Sequence, residues 1–432
     1  MCRKLGLLWL SLLAVLVLIS GCGQVLRVRA QVAQLEAMAA IDGQVDGDSR
    51  QFGELIVALL TKRGPGRFRR EDWLMPNDDG SFQFRVQPGS YFLIAFSDDN
   101  GNRELDENVA VAFAGEAEPK ALRVRASERI TAPSIEVAQM LAFADAGVLE
   151  HRKRASRENV GRIVSLNHEM FSRGYYQLGI WRPLDFMERV GSGLFLLQRY
   201  DPNRPTVLLV HGQGGGPRDW STLASALRRK GMQVLIAYYP SGVDLDVVRD
   251  WLAEGILELR TRWGLDSLHV VGHSMGGLIA RSLTEALIER QQGLRVRSLT
   301  TINSPMGGLQ SARTGVARAP IVIPSWRALA AGSDYLDRLS RWTQPKDVPY
   351  FLVFTYRTGS SGDGVVPLSS QIPLWVQAEA SVLRGFESEH GLALHDTRTI
   401  EFITERLSSV ESGEEVRSSR PGGSRSPAGK SD

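Results

Sequence analysis

The sequence predicts a small all-β sandwich followed by an α/β domain, in which helices cover both faces of a mostly parallel sheet. Three observations carry this prediction. Short strands separated by Gly, Pro and Asp turns fill residues 41–136, and apolar strands alternate with amphipathic helices over 193–408. One of these strands leads through a glycine-flanked serine directly into a helix. With 432 residues, 43% of them hydrophobic, the chain is long enough to bury two cores.

Residues 1–21 have the pattern of a secretory signal. A basic start precedes an apolar run over 5–19, which is too short for a comfortable membrane span. Cys22 follows Ile-Ser-Gly and resembles the bacterial lipobox cysteine, which implies acylation of Cys22 and a lipid anchor in the cell envelope. Gly23 in place of Asp implies sorting to the outer membrane in a Gram-negative organism. An ordinary signal peptide and an uncut membrane anchor are the alternatives.

Composition narrows the range of partners. The chain has two cysteines, Cys2 and Cys22, so no disulfide is expected in the mature protein. Lys and Arg number 51 and Asp and Glu 48, a near balance that argues against a nucleic-acid partner. Residues 22–40 are predicted to be a tether with some helical tendency. Residues 409–432, which are polar and rich in Ser, Gly and Arg, are expected to be disordered.

The predicted sandwich over 41–136 has a family resemblance. The segments Gly80-Ser81-Phe82, Pro88-Gly89-Ser90-Tyr91 and Ala95-Phe96 are similar to those of prealbumin-like, carboxypeptidase-regulatory domains. Such domains support or bind, which implies a protein or glycan partner. Residues 137–192 are predicted to link this domain to the next and to pack on it as an entry segment.

A loop after the last of these segments has oxygen-bearing side chains at alternate positions. This spacing resembles the first part of a calcium loop, and the candidate ligands are Asp98, Asn100, Asn102 and Asp106. Val109 stands where an EF-hand would place its bidentate Glu. Asp-Asn-Gly runs are also common hairpin turns that bind no metal, so calcium is the weaker of the two readings.

The second domain is predicted over 193–408, and its chemistry lies at one junction. Strand 268–271 runs into Gly272-His273-Ser274-Met275-Gly276, which runs into a helix. In this context Gly-x-Ser-x-Gly is a nucleophile elbow, because glycines remove the side chains that a tight turn cannot hold. Strand 206–210 ends in a Gly-rich loop, so the main-chain N–H groups of Gln213 and Met275 are the candidate oxyanion hole. His211 is predicted to be structural.

The acid and base should follow the serine in chain order. Asp363 lies in a small-residue loop after strand 350–354, whereas the competing Asp334, Asp337 and Asp347 fall in helical or linker sequence. Two histidines compete for the role of base. His390 directly follows a predicted strand over 381–386 and is favoured over His395, which lies closer to the start of the last helix.

These motifs resemble the esterase and lipase branch of the α/β-hydrolase superfamily over residues 193–408. The resemblance is carried by Val210-His211-Gly212, the elbow, Ile302-Asn303-Ser304-Pro305-Met306-Gly307-Gly308 and Gly362-Asp363-Gly364-Val365-Val366-Pro367. It implies a mobile cap over 307–342. Its apolar residues would face an acyl chain or simply pack within the cap; they are Ile321, Val322, Ile323, Trp326 and Leu329. Met306 departs from the His common at that place in bacterial lipases, which puts the subfamily in doubt.

The implied activity is hydrolysis of carboxylic esters, with lipid or acyl esters as substrate, through a Ser274–His390–Asp363 acyl-enzyme mechanism. This mechanism requires no metal or organic cofactor. Two alternatives remain at this stage. One is an amidase or thioesterase on the same scaffold, and the other is a surface binding lipoprotein whose hydrolase domain is vestigial.

Overall fold

A computed structural model gives the architecture. It describes residues 23–46, 54–64, 67–77, 79–98, 105, 110–115, 120–136, 141–142, 149–151, 159–290 and 293–413. The predicted signal, Cys22, residues 414–432 and three of the calcium-loop residues (Asn100, Asn102 and Asp106) lie outside these ranges. Within them, no helix combines the length and the apolar character needed to cross a membrane.

The first domain consists of two packed β-sheets. Its strands are β1 (Ala39–Asp46), β2 (Glu54–Gly64), β3 (Arg67–Leu74), β4 (Ser81–Val86), β5 (Gly89–Asp98), β6 (Ala110–Phe113), β7 (Leu122–Val124), β8 (Arg129–Thr131), β9 (Ile135–Glu136), β10 (Leu141–Ala142) and β11 (Leu149–His151). One sheet has the order β4-β1-β8 with β9 added on β1. The other has the order β10-β6-β5-β2-β3-β11 with β7 added on β5.

Alternate residues of these strands fill the space between the two sheets. Phe82 and Phe84 of β4 point inward beside Ile41 of β1, and they belong to the same buried cluster as Val57 and Leu93 of the second sheet. This is the period-two pattern that a β-sandwich requires. The all-β character predicted for the first domain is therefore confirmed.

The second domain is built on one large sheet. Its strands are β12 (Val160–Ile163), β13 (Gly193–Leu196), β14 (Thr206–Val210), β15 (Gln233–Tyr238), β16 (Ser267–His273), β17 (Arg295–Ile302), β18 (Tyr350–Tyr356) and β19 (Val382–Glu387). Their order is β12-β13-β15-β14-β16-β17-β18-β19. The β13–β15 pair is antiparallel and the other neighbours are parallel, so the predicted mostly parallel sheet is confirmed.

Helices cover both faces of this sheet. After the first helix of the chain, α1 (residues 23–36), they are α2 (Arg173–Trp181), α3 (Pro183–Arg189), α4 (Ser221–Arg229), α5 (Leu245–Trp263), α6 (Met275–Glu289), α7 (Gln310–Arg318), α8 (Pro324–Leu329), α9 (Asp334–Arg341), α10 (Leu368–Gln371), α11 (Leu374–Glu379) and α12 (Thr397–Ser412). Leu208 of β14 packs with α5 and α6, and Leu209 packs on the other face with α4 and α12. Strand residues are buried on both faces, which explains their continuous apolar runs.

The entry segment differs from its prediction. Residues 160–163 form β12 within the large sheet, so the second domain begins about 30 residues before position 193. Strands β10 and β11, also within the predicted linker, pair with β6 and β3 of the first domain. No local pattern marks β12, because Val160 is buried while Ile163 is 55% exposed, and four residues are too few to display a period.

Both predicted chain ends also differ where the structure describes them. Residues 23–36 form a helix whose less exposed stripe has an amphipathic spacing, with Gln31 and Val32 buried and Val28 and Leu35 partly buried, so this segment is not a free tether. At the other end α12 continues to Ser412, beyond the predicted boundary at 408. Its Glu411 accepts hydrogen bonds from Arg297 at 2.9 Å and from the His269 ring at 3.1 Å.

A buried arginine joins helix α6 to the end of α9 and to α11. Arg281 of α6 is fully buried and donates to the Glu379 carboxylate at 2.5 Å and to the Trp342 carbonyl at 2.7 Å. Its guanidinium lies 4.9 Å from the ring centres of both Trp342 and Trp375. Removing one partner of such a pair leaves a carboxylate without its counter-charge in a poorly solvated place.

We therefore expect Arg281→Met to lower the free energy of unfolding by about 3 kcal/mol or more. Arg338→Met is the matched control, because Arg338 pairs with Asp246 at 2.5 Å but is 56% exposed. Exposed pairs contribute no more than about 1 kcal/mol. Urea unfolding followed by circular dichroism measures both variants, and equal losses would contradict the role given to Arg281.

Candidate active site

The turn between β16 and α6 holds Ser274 in a strained conformation. Its φ of 54° and ψ of −128° lie outside the regions that L-residues favour. A side chain at Gly272 would collide with the Gly276 carbonyl, and one at Gly276 would collide with the carbonyls of Val210 and His211. The two glycines are therefore required by the close approach of the backbone, as a nucleophile elbow demands.

The Gly-rich loop after β14 lies against this serine. A Cβ on Gly212 would stand 2.9 Å from the Ser274 Cβ and 3.4 Å from its hydroxyl oxygen. Gln213 follows in the same loop, and Met275 is the first residue of α6, where main-chain N–H groups have no partner within the helix. The two predicted oxyanion residues thus follow Gly212 and Ser274, which lie in close contact.

The predicted acid and base meet at the ends of neighbouring strands. Asp363 Oδ2 lies 2.7 Å from His390 Nδ1, and Asp363 Oδ1 accepts from the amides of Val366 at 2.7 Å and Val365 at 2.9 Å. Burial opposes ionisation of Asp363, but the hydrogen bond and charge of His390 and the two amides outweigh it, so the pKa of Asp363 is lowered. The carboxylate therefore stays charged beside the imidazole.

The rival candidates lie elsewhere. Asp334 and Asp337 belong to the first turn of α9. The His395 ring is 2.8 Å from the Thr222 hydroxyl of α4. It pairs with no carboxylate among the described residues. Of the two histidines, the structure thus brings His390 to Asp363.

Two further side chains hold the main chain of His390 in place. The Asn303 amide donates to the His390 carbonyl at 3.1 Å, and His273 Nε2 lies 3.2 Å from the same oxygen. The rings of His273 and His390 are 4.8 Å apart between centres. Burial, reinforced by the neighbouring His390, lowers the pKa of His273 to about 3, so His273 is neutral and donates its Nε2 proton.

The Ser274 hydroxyl itself makes no hydrogen bond to His390 in this arrangement, and catalytic contacts of this kind often form only once substrate is bound.

The loop that carries Asp363 is fixed by a glutamine that the sequence did not single out. Gln371 of α10 is fully buried; it accepts from the Thr355 amide at 3.0 Å and donates to the carbonyls of Thr355 and Val366, both at 2.9 Å. His211 acts in a similar way on the Gly-rich loop after β14, which is called the oxyanion loop for its predicted role. It is buried, stacks on Tyr239 with ring centres 4.0 Å apart, and its Nδ1 lies 2.8 Å from the Gly212 carbonyl. This is the structural position predicted for His211.

The predicted cap over 307–342 contains α7, α8 and α9. Ile323 and Leu329 are buried within it, whereas Trp326 is partly exposed and meets Trp181 edge to face with 6.0 Å between ring centres. The cap is joined to the oxyanion loop by a hydrogen bond of 3.0 Å from the Gln213 side chain to the Ser325 hydroxyl. Ile323 and Leu329 are thus packed cap residues, so the acyl-facing surface expected of the cap is reduced to its partly exposed members.

No group of three or more His, Cys, Asp or Glu side chains within the described ranges is arranged to hold a metal ion. Asp98, the first candidate calcium ligand, is buried at the end of β5. The calcium interpretation stays a prediction, because its other three residues lie outside those ranges.

Comparison with known proteins agrees with this architecture. Residues 205–318, which include the oxyanion loop and the elbow, match the family model of the thioesterase domain. This match and the mostly parallel sheet agree with the predicted resemblance to the α/β-hydrolase superfamily. No curated protein matches the sequence.

Several solved structures are similar to this chain at low identity. The mature lipase BlEst2 of Bacillus licheniformis aligns with 49% of this chain and 94% of its own, with 18% identity and a TM-score of 0.40. A gene product of Listeria innocua aligns with 48% of this chain and 94% of its own, with 17% identity and a TM-score of 0.39. A carboxylesterase of the thaumarchaeon Nitrososphaera gargenis covers 51% of this chain and 96% of its own, with 14% identity and a TM-score of 0.38.

Removing the Asn303 amide should impair the hydrolase without unfolding it. Asn303 has φ 51°, so Asn303→Gly keeps the backbone unstrained while the His390 carbonyl loses one donor. Loss of one hydrogen bond of about 1–1.5 kcal/mol predicts a fall in kcat of about tenfold with little change in KM. Steady-state kinetics on a soluble ester measure this, and a wild-type kcat would show that His273 alone holds the carbonyl.

The neutral His273 also makes stability depend on pH. Its pKa of about 3 in the folded hydrolase lies below the ordinary value of 6.5. Its contribution is therefore complete above pH 6.5 and is lost as the pH falls towards 3. The wild type should lose unfolding free energy between pH 7.5 and pH 4.5. In His273→Gln this loss should be smaller by roughly 2 to 3 kcal/mol.

Urea unfolding at the two pH values measures this difference. His168→Gln is the control, because His168 is exposed on a loop. The same acid destabilisation in the wild type and in His273→Gln would contradict the burial argument.

Proposed function

We propose that this protein is a membrane-anchored serine hydrolase that cleaves carboxylic esters, with acyl-lipid esters as its substrates. The observation that carries the proposal is the 2.7 Å hydrogen bond between Asp363 and His390, formed beside a strained, glycine-flanked Ser274. An ordinary strand-to-helix turn needs neither the strain nor a buried carboxylate–imidazole pair nearby.

Acylation begins when the Ser274 hydroxyl oxygen attacks the ester carbonyl carbon. His390 Nε2 takes the hydroxyl proton, and Asp363, which accepts the Nδ1 proton, fixes the tautomer and stabilises the imidazolium. The negative charge that develops on the carbonyl oxygen is stabilised by the main-chain N–H groups of Gln213 and Met275, assisted by the positive end of α6.

Departure of the alcohol completes acylation, and water then reverses the sequence in deacylation. As the tetrahedral intermediate collapses, the ester C–O bond breaks and His390 returns its proton to the departing alcohol, leaving an acyl group on Ser274. Water then attacks the acyl carbon and gives its proton to the same imidazole. The acid product leaves when the Ser274 oxygen recovers that proton. No step calls for a cofactor.

Two features support acyl lipids over small soluble esters. The lipobox cysteine would hold the enzyme at a bilayer, where lipid esters are concentrated. The cap contacts the oxyanion loop through the hydrogen bond between Gln213 and Ser325, and its Trp326 is partly exposed. A thioester is the second candidate, and the match to the thioesterase domain is what favours it.

Single substitutions test the catalytic set. Ser274→Ala should abolish turnover and labelling by a fluorophosphonate, and Asp363→Asn should lower kcat by about 10³ to 10⁴, as loss of the correct imidazole tautomer does in related triads. His390→Ala should lower kcat by at least as much as Asp363→Asn. His395→Ala, which loses only its contact with Thr222, should retain nearly full activity. Turnover that survives Ser274→Ala, or dies only with His395→Ala, would overturn the assignment.

The substrate class is tested with p-nitrophenyl esters of increasing chain length and with matched acyl thioesters. We expect turnover to rise with chain length and to increase again once the substrate forms an interface. A preference for acetate or butyrate would indicate a small-ester hydrolase, and a preference for the thioester would favour the second candidate. Absence of serine-dependent turnover and of fluorophosphonate labelling would favour a binding lipoprotein with a vestigial hydrolase.

A further inference from the structure

Helix α1 exposes apolar and basic side chains at its amino end. Val25 is 54% exposed and Leu26 is 64% exposed, and Arg27 and Arg29 beside them are exposed as well. The sequence from 23 to 35 contains no Asp or Glu. Exposed apolar side chains of this kind can enter the headgroup region of a bilayer, where arginines can meet lipid phosphates.

The carboxyl half of α1 is fixed to both domains. Gln31, on its buried stripe, accepts from the Leu184 amide at 3.0 Å and donates to the Asp185 carboxylate, both on α3 of the hydrolase. At the end of α1, the Ser127 hydroxyl of the β domain donates to the Glu36 carbonyl at 2.7 Å. Because α1 is held from two sides, its exposed amino end points in one direction relative to the hydrolase.

The direction of α1 is also constrained by a contact with the cap. Glu36 forms an ion pair of 2.5 Å with Arg327 of α8. The same helix carries Ser325, which contacts the oxyanion residue Gln213. Trp181, at the end of α2, is 42% exposed and adjoins Trp326 of α8. Helix α1 therefore lies on the side of the hydrolase where the cap meets the oxyanion loop.

We propose that α1 is a rigid support that seats the cap side of the hydrolase on an anionic phospholipid leaflet, from which the ester substrate enters. This inference rests on the proposed function, which supplies an acylated Cys22 directly before Gly23. At 1.5 Å per residue, the helix from Gly23 to Gln31 spans about 12 Å. An anchor that close to a fixed contact orients the domain, whereas a flexible tether would let it turn freely.

Site-specific fluorescence quenching tests the orientation. The full chain, processed and acylated in a bacterial host, is reconstituted in phosphatidylcholine vesicles containing phosphatidylglycerol and brominated acyl chains. Cys2 and Cys22 are its only cysteines, so a thiol-reactive fluorophore labels Leu26→Cys uniquely. Ser412→Cys is the matched control, because it is exposed at the end of α12, at the opposite edge of the sheet from Ser274.

We expect the brominated lipid to quench the fluorophore at position 26 strongly and at position 412 hardly at all. Equal quenching at both positions, or none at either, would overturn the proposed orientation. Hydrolysis of a soluble ester by the same samples, with Ser274→Ala alongside, reports separately on the proposed function. A chain that hydrolyses the soluble ester but shows equal quenching refutes the orientation alone.

A pair of glutamine variants tests the support itself. Gln31→Ala removes the contacts to α3, whereas Gln34→Ala changes an exposed side chain of the same helix. Gln31→Ala should lower turnover of a vesicle-embedded long-chain ester by up to about tenfold, the effect of losing one buried hydrogen bond, and leave soluble-ester turnover unchanged. Equal effects of the two variants on the embedded ester would contradict a supporting role for α1.

Discussion

The tight turn at Ser274 is the constraint on which the rest of the site depends. Its backbone is strained by the order of 1–3 kcal/mol, and such strain persists only where the surrounding structure leaves no alternative. Here β16 is buried between β14 and β17, and the first turn of α6 approaches the end of β14 so closely that Gly272 and Gly276 admit no side chain. Two extensive buried cores, one on each face of the sheet, thus fix the position of one hydroxyl group.

His390, the proposed catalytic base, is positioned through its main chain as well as through its ring. Asp363 holds the ring, but the His390 carbonyl is held by Asn303 and His273, and the His390 amide donates to the Asp363 carbonyl at 3.1 Å. Asn303 itself takes a positive φ at the end of β17, beside the elbow. Acid, base and elbow are therefore joined by contacts between adjacent strand ends, and a shift in one strand would be transmitted to the others.

Much of the hydrolase domain follows from the sequence because its signals are local. Buried parallel strands appear as apolar runs, and Gly-x-Ser-x-Gly marks one turn. The choice of Asp363 and His390 needed only their place after strands β18 and β19. Contacts between distant residues leave no such trace. Nothing in the neighbourhood of Gln371 or Arg281 indicates that each is buried, since their partners come from other parts of the chain.

The boundaries between segments were hardest to predict for the same reason. The strand β12 has four residues with one buried apolar side chain, so it is recognised only by its pairing with β13. Helix α1 shows an amphipathic period, yet its stripe places Gln31 among apolar positions. The glutamine at this position is explained only by the α3 amides to which it is hydrogen-bonded. Polar residues that complete a long-range interface are thus misread as signs of a solvated tether.

The contact between Gln31 and α3 also has a consequence for the order of events during synthesis. About 150 residues separate Gln31 from Asp185, and a chain made from its amino end folds domain by domain in that order. Helix α1 thus leaves the ribosome long before the surface it will cover exists. Docking of α1 therefore comes late, once the hydrolase has formed, and the proposed acylation of Cys22 falls within that interval.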